Sequence, residues 1–98
     1  MKGILIEPGK APVVTALPDT LQGIEAMLGC DCTQKVLPRT PAVLVYGLLG
    51  KGLNRIYRGQ NIYGTILCYG WKNNSLVPMS KDLQAEMLDR LKDTEVRV

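Results

Sequence analysis

Histidine is absent from this sequence, which removes the commonest general base and the commonest metal ligand together. Ser-His and Cys-His nucleophile pairs go with it. Lysine, tyrosine, cysteine and the carboxylates remain, and no two acids have a spacing that suggests a catalytic pair. The chain is expected not to be an enzyme, and no residue is given a catalytic role.

Three cysteines are the next candidates. Cys30-Asp31-Cys32 and Cys68 can offer thiolates to zinc, but a structural site takes four ligands, generally from two close pairs. Cys30 and Cys32 also lack the Cys-x-x-Cys spacing of a redox pair. Neither a metal nor a cofactor is expected, and Cys68 reads as a small buried hydrophobe inside a strand. Gly47-Leu48-Leu49-Gly50-Lys51-Gly52 invites comparison with phosphate loops. Its spacing is wrong, however, and no Ser or Thr follows the lysine to meet magnesium.

The richest constellation lies between residues 51 and 63: Lys51, Asn54, Arg55, Tyr57, Arg58, Gln60, Asn61 and Tyr63. Arginine forks onto phosphate or carboxylate oxygens, tyrosine stacks on a base, and Asn or Gln reads a base edge. Lys51, Asn54, Arg55, Tyr57 and Arg58 form the expected ligand-binding set, facing an anionic, nucleotide-like small molecule. The competing reading is a solvated loop whose tyrosines cover the edge of the core. Gly64-Thr65 and Trp71 can add a turn and a stacking face, although Trp71 serves equally well as a lid on the core.

Charge distribution supports the first reading more than net charge does. Twelve basic residues against nine acidic give +3, too mild a balance to argue for nucleic acid. Between Pro38 and Lys72, however, stand Arg39, Lys51, Arg55, Arg58 and Lys72 with no acid among them. The alternative explanation is that a sheet region simply excludes Asp and Glu, which are poor strand formers.

These residues need a scaffold, and 98 residues allow one domain, 1–98. Phe is absent and Trp occurs once, so the core must come from Ile, Leu, Val, Met and Ala. A domain of this size hides only about two thirds of its unfolded surface, which makes a homo-oligomer a reasonable expectation. No apolar run approaches the roughly 20 residues that span a bilayer. The apolar stretch at residues 4–6 is too short for a signal-peptide core, and an odd cysteine count does not suit a secreted domain. A cytoplasmic location without membrane contact is expected.

Along the chain, residues 2–7 read as a strand with Ile4 and Ile6 on one face and Leu5 on the other. Glu7-Pro8-Gly9-Lys10 is a turn, and residues 13–17 return antiparallel. Asp19, with Gln22 reaching back, is expected to cap a short helix near 20–28. Leu21, Ile24 and Leu28 form its inner face, and Gly29 sits at the left-handed C-cap. Residues 30–37 form a strand and Pro38-Arg39-Thr40-Pro41 a turn. The apolar run 42–49 is a central strand, and 62–69 is another. Asn73-Asn74 turns the chain into a short strand at 76–77. Ser80 caps a final helix near 81–93, with Leu83, Met87, Leu88 and Leu91 as its stripe and Glu86–Arg90 as an i,i+4 pair. Residues 94–98 are left as a frayed end or edge extension. The expected fold is α+β: a mostly antiparallel sheet of five or six strands with both helices on one face.

With these segments in place, the chain resembles a family of small phage, plasmid and Gram-positive bacterial proteins described as domain of unknown function 3846. The matching residues are Ile6-Glu7-Pro8-Gly9-Lys10-Ala11-Pro12, Leu21-Gln22, Leu28-Gly29, Gly50-Lys51, Leu53-Asn54-Arg55 and Ile62-Tyr63-Gly64-Thr65, followed by the entry into the final helix. Cys30-Asp31-Cys32 and Tyr46-Gly47 depart from the family's usual residues, so a cysteine-based role is not expected of the family. The resemblance implies no activity. It implies a mobile-element or accessory setting, where small non-enzymatic proteins block a host protein or sequester a signalling molecule. Two functions follow as expectations: sequestration of an anionic small molecule, or inhibition or adaptation of a host protein. Direct nucleic-acid binding ranks below both.

Overall fold

The computed structural model describes residues 1–50, 52–57 and 59–92. Its elements run β1 (Lys2–Ile6), β2 (Val13–Ala16), α1 (Leu21–Leu28), β3 (Cys32–Val36), β4 (Ala42–Gly47), β5 (Leu53–Tyr57), β6 (Gln60–Tyr63), β7 (Ile66–Lys72), β8 (Ser75–Val77) and α2 (Lys81–Lys92). Six strands form one antiparallel sheet in the order β2-β1-β7-β4-β3, with β8 pairing the remaining length of β7. The other two, β5 and β6, make a separate hairpin. The fold is α+β with two helices, as the sequence pattern requires.

β4 and β7 explain the architecture. Val43, Leu44 and Val45 are all buried, as are Leu67, Cys68 and Tyr69. Because successive strand residues face opposite ways, an unbroken apolar run needs cover on both sides. Ile4, Ile6, Leu44, Ile66 and Cys68 face Leu83, Met87 and Leu91 of α2, together with Tyr57 and Ile62 of the hairpin. Val43, Val45, Leu67 and Tyr69 face Ile24 of α1 and Leu17. The two helices therefore lie on opposite faces of the sheet, and the expectation that both pack on one face is corrected.

Local chemistry fixes the connections. Pro8 and Gly9 make the β1–β2 turn, closed by Lys10 N–H donating to the Glu7 carbonyl at 3.1 Å. Asn73 and Asn74, both at positive φ, turn β7 into β8. Ser80 Oγ accepts from Leu83 N–H at 3.2 Å at the start of α2, and Arg90 pairs with Glu86 at 3.1 Å.

Several elements differ from the sequence expectation. Thr20 caps α1 in place of Asp19, its hydroxyl accepting from Gly23 N–H at 3.1 Å. The helix therefore starts one residue later, and Leu21, in its first turn, is 62% exposed. The expected strand at 62–69 is two strands, broken at Gly64, whose φ of 75° only glycine adopts without strain. Residues 53–57, to which the sequence pattern assigns no strand, form β5 of the hairpin. The expectations for 94–98 lie outside the described residues. Among the described residues no helix is long and apolar enough to cross a membrane, which says nothing of β-barrels.

Met87 is fully buried between α2 and the sheet. Met87→Ala should lower the unfolding free energy by about 2–4 kcal/mol, read from the shift of a urea denaturation midpoint.

Candidate functional site

Of the ligand-binding set expected between residues 51 and 58, the three described members, Asn54, Arg55 and Tyr57, face inward and form no surface. Asn54 and Arg55 are 0% and 1% exposed, and Tyr57 is 5% exposed. Lys51 and Arg58 lie outside the described residues. The physical reason is a register shift between Leu53 and Arg55 where β5 pairs with β6. Regular alternation would send Asn54 and Arg55 to opposite faces; the irregularity lets both consecutive side chains turn inward.

Inside, the Asn54 amide and both terminal guanidinium nitrogens of Arg55 bond to the protein itself. Asn54 Nδ2 donates to the Ile6 carbonyl at 2.9 Å and to the Gly64 carbonyl at 2.6 Å. One Arg55 guanidinium nitrogen donates to the Asn54 carbonyl at 2.9 Å and to Asn54 Oδ1 at 2.8 Å. The other reaches the Lys10 carbonyl at 2.7 Å. These bonds fasten the hairpin to the end of β1, to the β1–β2 turn and to the Gly64 corner. Tyr57 packs in the core beneath Lys35, whose Nζ lies 6.0 Å from the ring centroid. Outside, Lys35 donates to Gln60 at 2.7 Å and Gln60 to the Tyr46 hydroxyl at 3.0 Å, closing the hairpin against β3 and β4. Trp71 packs against the α1-side core, so its role is that of a lid.

A concave site lies elsewhere, at the end of the sheet where β3 and β7 begin and β4 ends. It is a groove of about 440 Å³ lined by Leu28, Gly29, Cys30, Gly47, Leu49, Gly50, Gly64 and Thr65. Gly29 ends α1 in the left-handed conformation at φ 76° and sends the chain straight to Cys30. β4 stops at Gly47, two residues short of the expected strand end. Leu48 N–H then donates to the Asp31 carbonyl at 2.8 Å. Gly50 presses on the Tyr63 carbonyl so closely that any Cβ would collide with it. Pinned at both ends, the loop holds Leu48 and Leu49 outward, 61% and 79% exposed. None of the lining side chains carries a charge.

The signal for this loop was present in the sequence as two adjacent leucines between glycines, an apolar pair at a place where turns are usually polar. The charged Lys51–Tyr63 stretch outweighed it.

Cys30, which lines the groove, and Cys32 are half-buried, and Cys68 is buried in the sheet. Burial, with a smaller contribution from the Glu25 charge, raises the Cys32 thiol. Burial alone pushes Cys68 up to about 12. Glu25 is raised chiefly by its side-chain hydrogen bond with Asp31, then by desolvation and by the Asp31 charge. Tyr69, whose hydroxyl donates to the Pro18 carbonyl at 2.7 Å, is pushed to about 12 mainly by burial. Among the described residues, no group of three or more Cys, Asp or Glu side chains is placed to hold a metal ion.

Fold and groove together define a small α+β protein with one antiparallel sheet, a helix on each face and an uncharged cleft at the sheet's end. The chain belongs to the family described as domain of unknown function (DUF3846), whose model matches residues 1–92. No curated protein and no solved structure matches it.

Two outcomes follow from this geometry. Arg55→Ala leaves the buried carbonyl and Oδ1 of Asn54 without their guanidinium donor and should cost about 3 kcal/mol by chemical denaturation. Arg55→Lys, which lacks the two-pronged reach, should recover only part of that loss. Cys68 and Tyr69 ionise more readily in the unfolded chain, from ordinary values of 9.0 and 10.0, than in the folded one at about 12. Unfolding then releases protons, so stability is complete below pH 9 and falls as pH rises towards 12. Cys68→Ala with Tyr69→Phe should flatten that alkaline loss in thermal melts, although the variant starts from a lower melting temperature at neutral pH.

Proposed function

We propose that this chain is a non-catalytic binding protein that engages a partner protein through the end-of-sheet groove and the Leu48–Leu49 loop. The carrying observation is the exposure of two adjacent leucines, 61% and 79%, on a loop pinned at both ends beside an uncharged cleft. Leaving apolar area in water forgoes roughly 25 cal/mol per Å², so a pre-shaped apolar projection gains most from a surface that covers it. Its rigid anchoring also reduces the ordering cost of association.

The same geometry favours a protein partner over the anionic small molecule also expected from the sequence. Asn54, Arg55 and Tyr57 face the interior, and the groove lining offers no basic side chain to an anion. A non-catalytic role accords with the absence of histidine. The mobile-element setting implied by the family resemblance suits a small protein that blocks or recruits a host factor.

Displayed random peptides panned against the protein test this reading. Enriched peptides should bind the wild type and lose about tenfold or more in affinity to Leu49→Asp, the scale of a central apolar contact. Leu49→Asp should keep the wild-type circular dichroism and melting temperature, because residue 49 is exposed. Enriched peptides that bind Leu49→Asp equally well would overturn the assignment. So would a nucleotide that raises the wild-type melting temperature when no peptide is enriched.

A further inference from the structure

We propose that the groove selects a basic partner segment, one in which an aliphatic side chain is flanked by lysine or arginine. This rests on the groove being the contact surface and adds to it the chemistry of what docks there. Its ground is a concentration of negative charge at the groove's α1 side that has no ion-pair partner among the described residues.

The end of α1 supplies three of the lining residues, Leu28, Gly29 and Cys30. A helix C-terminus carries about half a negative charge on its last carbonyls, usually offset by a nearby cation. The last turn of α1 has no basic residue. Two carboxylates reinforce the same end: Glu25, whose carbonyl accepts the capping Gly29 N–H at 2.8 Å, and Asp31, next to Cys30. Their side chains stand within hydrogen-bonding reach of each other. The ion pairs among the described residues are Glu7–Lys10 and Glu86–Arg90, so neither Glu25 nor Asp31 has a cation of its own there.

This acidic corner belongs to a chain with a net charge of +3. A basic segment is therefore attracted to this edge and repelled by much of the remaining surface, while an acidic one meets the reverse. The apolar cleft takes the aliphatic side chain, and the carboxylates take the flanking cations. Two exposed ion pairs of this kind supply roughly fivefold in affinity at low salt.

Isothermal titration of the full chain with three end-capped peptides tests the proposal: adjacent leucines flanked by lysine and arginine, the same leucines flanked by glutamate, and adjacent alanines flanked by lysine and arginine. The basic leucine peptide should bind about fivefold tighter than the acidic one, shifting the amide resonances of Gly29, Gly47 and Gly64. Added salt should erase that preference, and so should Glu25→Gln with Asp31→Asn. Salt acts on the wild type, so it decides the matter even if the double variant folds poorly. Equal binding of the two leucine peptides, with loss on Leu49→Asp, removes the charge selection and leaves the groove reading standing. Equal binding of the alanine peptide means attraction without a groove and overturns the proposal. No binding and no resonance shift from any peptide removes both.

Discussion

The buried side chains of Asn54 and Arg55 are the constraint on which the arrangement turns. Between them they bond to main-chain carbonyls of Ile6, Lys10 and Gly64, from two regions far apart in sequence. A buried cation is costly unless its donors are satisfied. The conformation that gives both terminal guanidinium nitrogens of Arg55 their acceptors is one that brings the β1–β2 turn against the hairpin. The same bonds fix Gly64, and Gly64 sets one wall of the groove. The position of the exposed leucines is thus governed from the interior, through residues that touch nothing outside.

This explains why residue type is a poor guide at Asn54, Arg55 and Tyr57. They have the residue types of an anion-binding surface, and type alone does not say which way a side chain faces. In a regular strand alternation would decide it. Here a register irregularity in a short hairpin reverses the rule for one residue, and nothing in composition announces such an irregularity. Elements governed by local chemistry were legible: the Pro8-Gly9 turn, the Gly29 and Ser80 caps, the Asn73-Asn74 turn and the stripe of α2. The apolar run of β4 was legible as a central strand. Its further meaning, that both faces need cover and the helices must divide between them, was available in the same run but requires reasoning from packing.

The groove was harder to foresee because it belongs to no single segment. Its walls come from the end of α1, the loop after β4 and the corner before β7, brought together by pairing across more than thirty residues. What the sequence does contain is the separation of charge. Acidic residues are missing between Pro38 and Lys72, so Glu25 and Asp31 are left to set the potential at the α1 side. The acid-free segment is the basic background against which a small acidic corner stands out.

The place of β7 in the sheet has a consequence for how the chain acquires its shape. It is the strand that joins the β1–β2 and β3–β4 hairpins, pairing with β1 on one side and β4 on the other, yet it begins only at Ile66. A nascent chain can form those hairpins as they emerge, but their apolar edges have no sheet partner until β7 has been made. Such non-local pairing slows folding and leaves strand edges open to wrong neighbours. Assembly of this protein is in that sense a late event, completed by one strand arriving between two waiting halves.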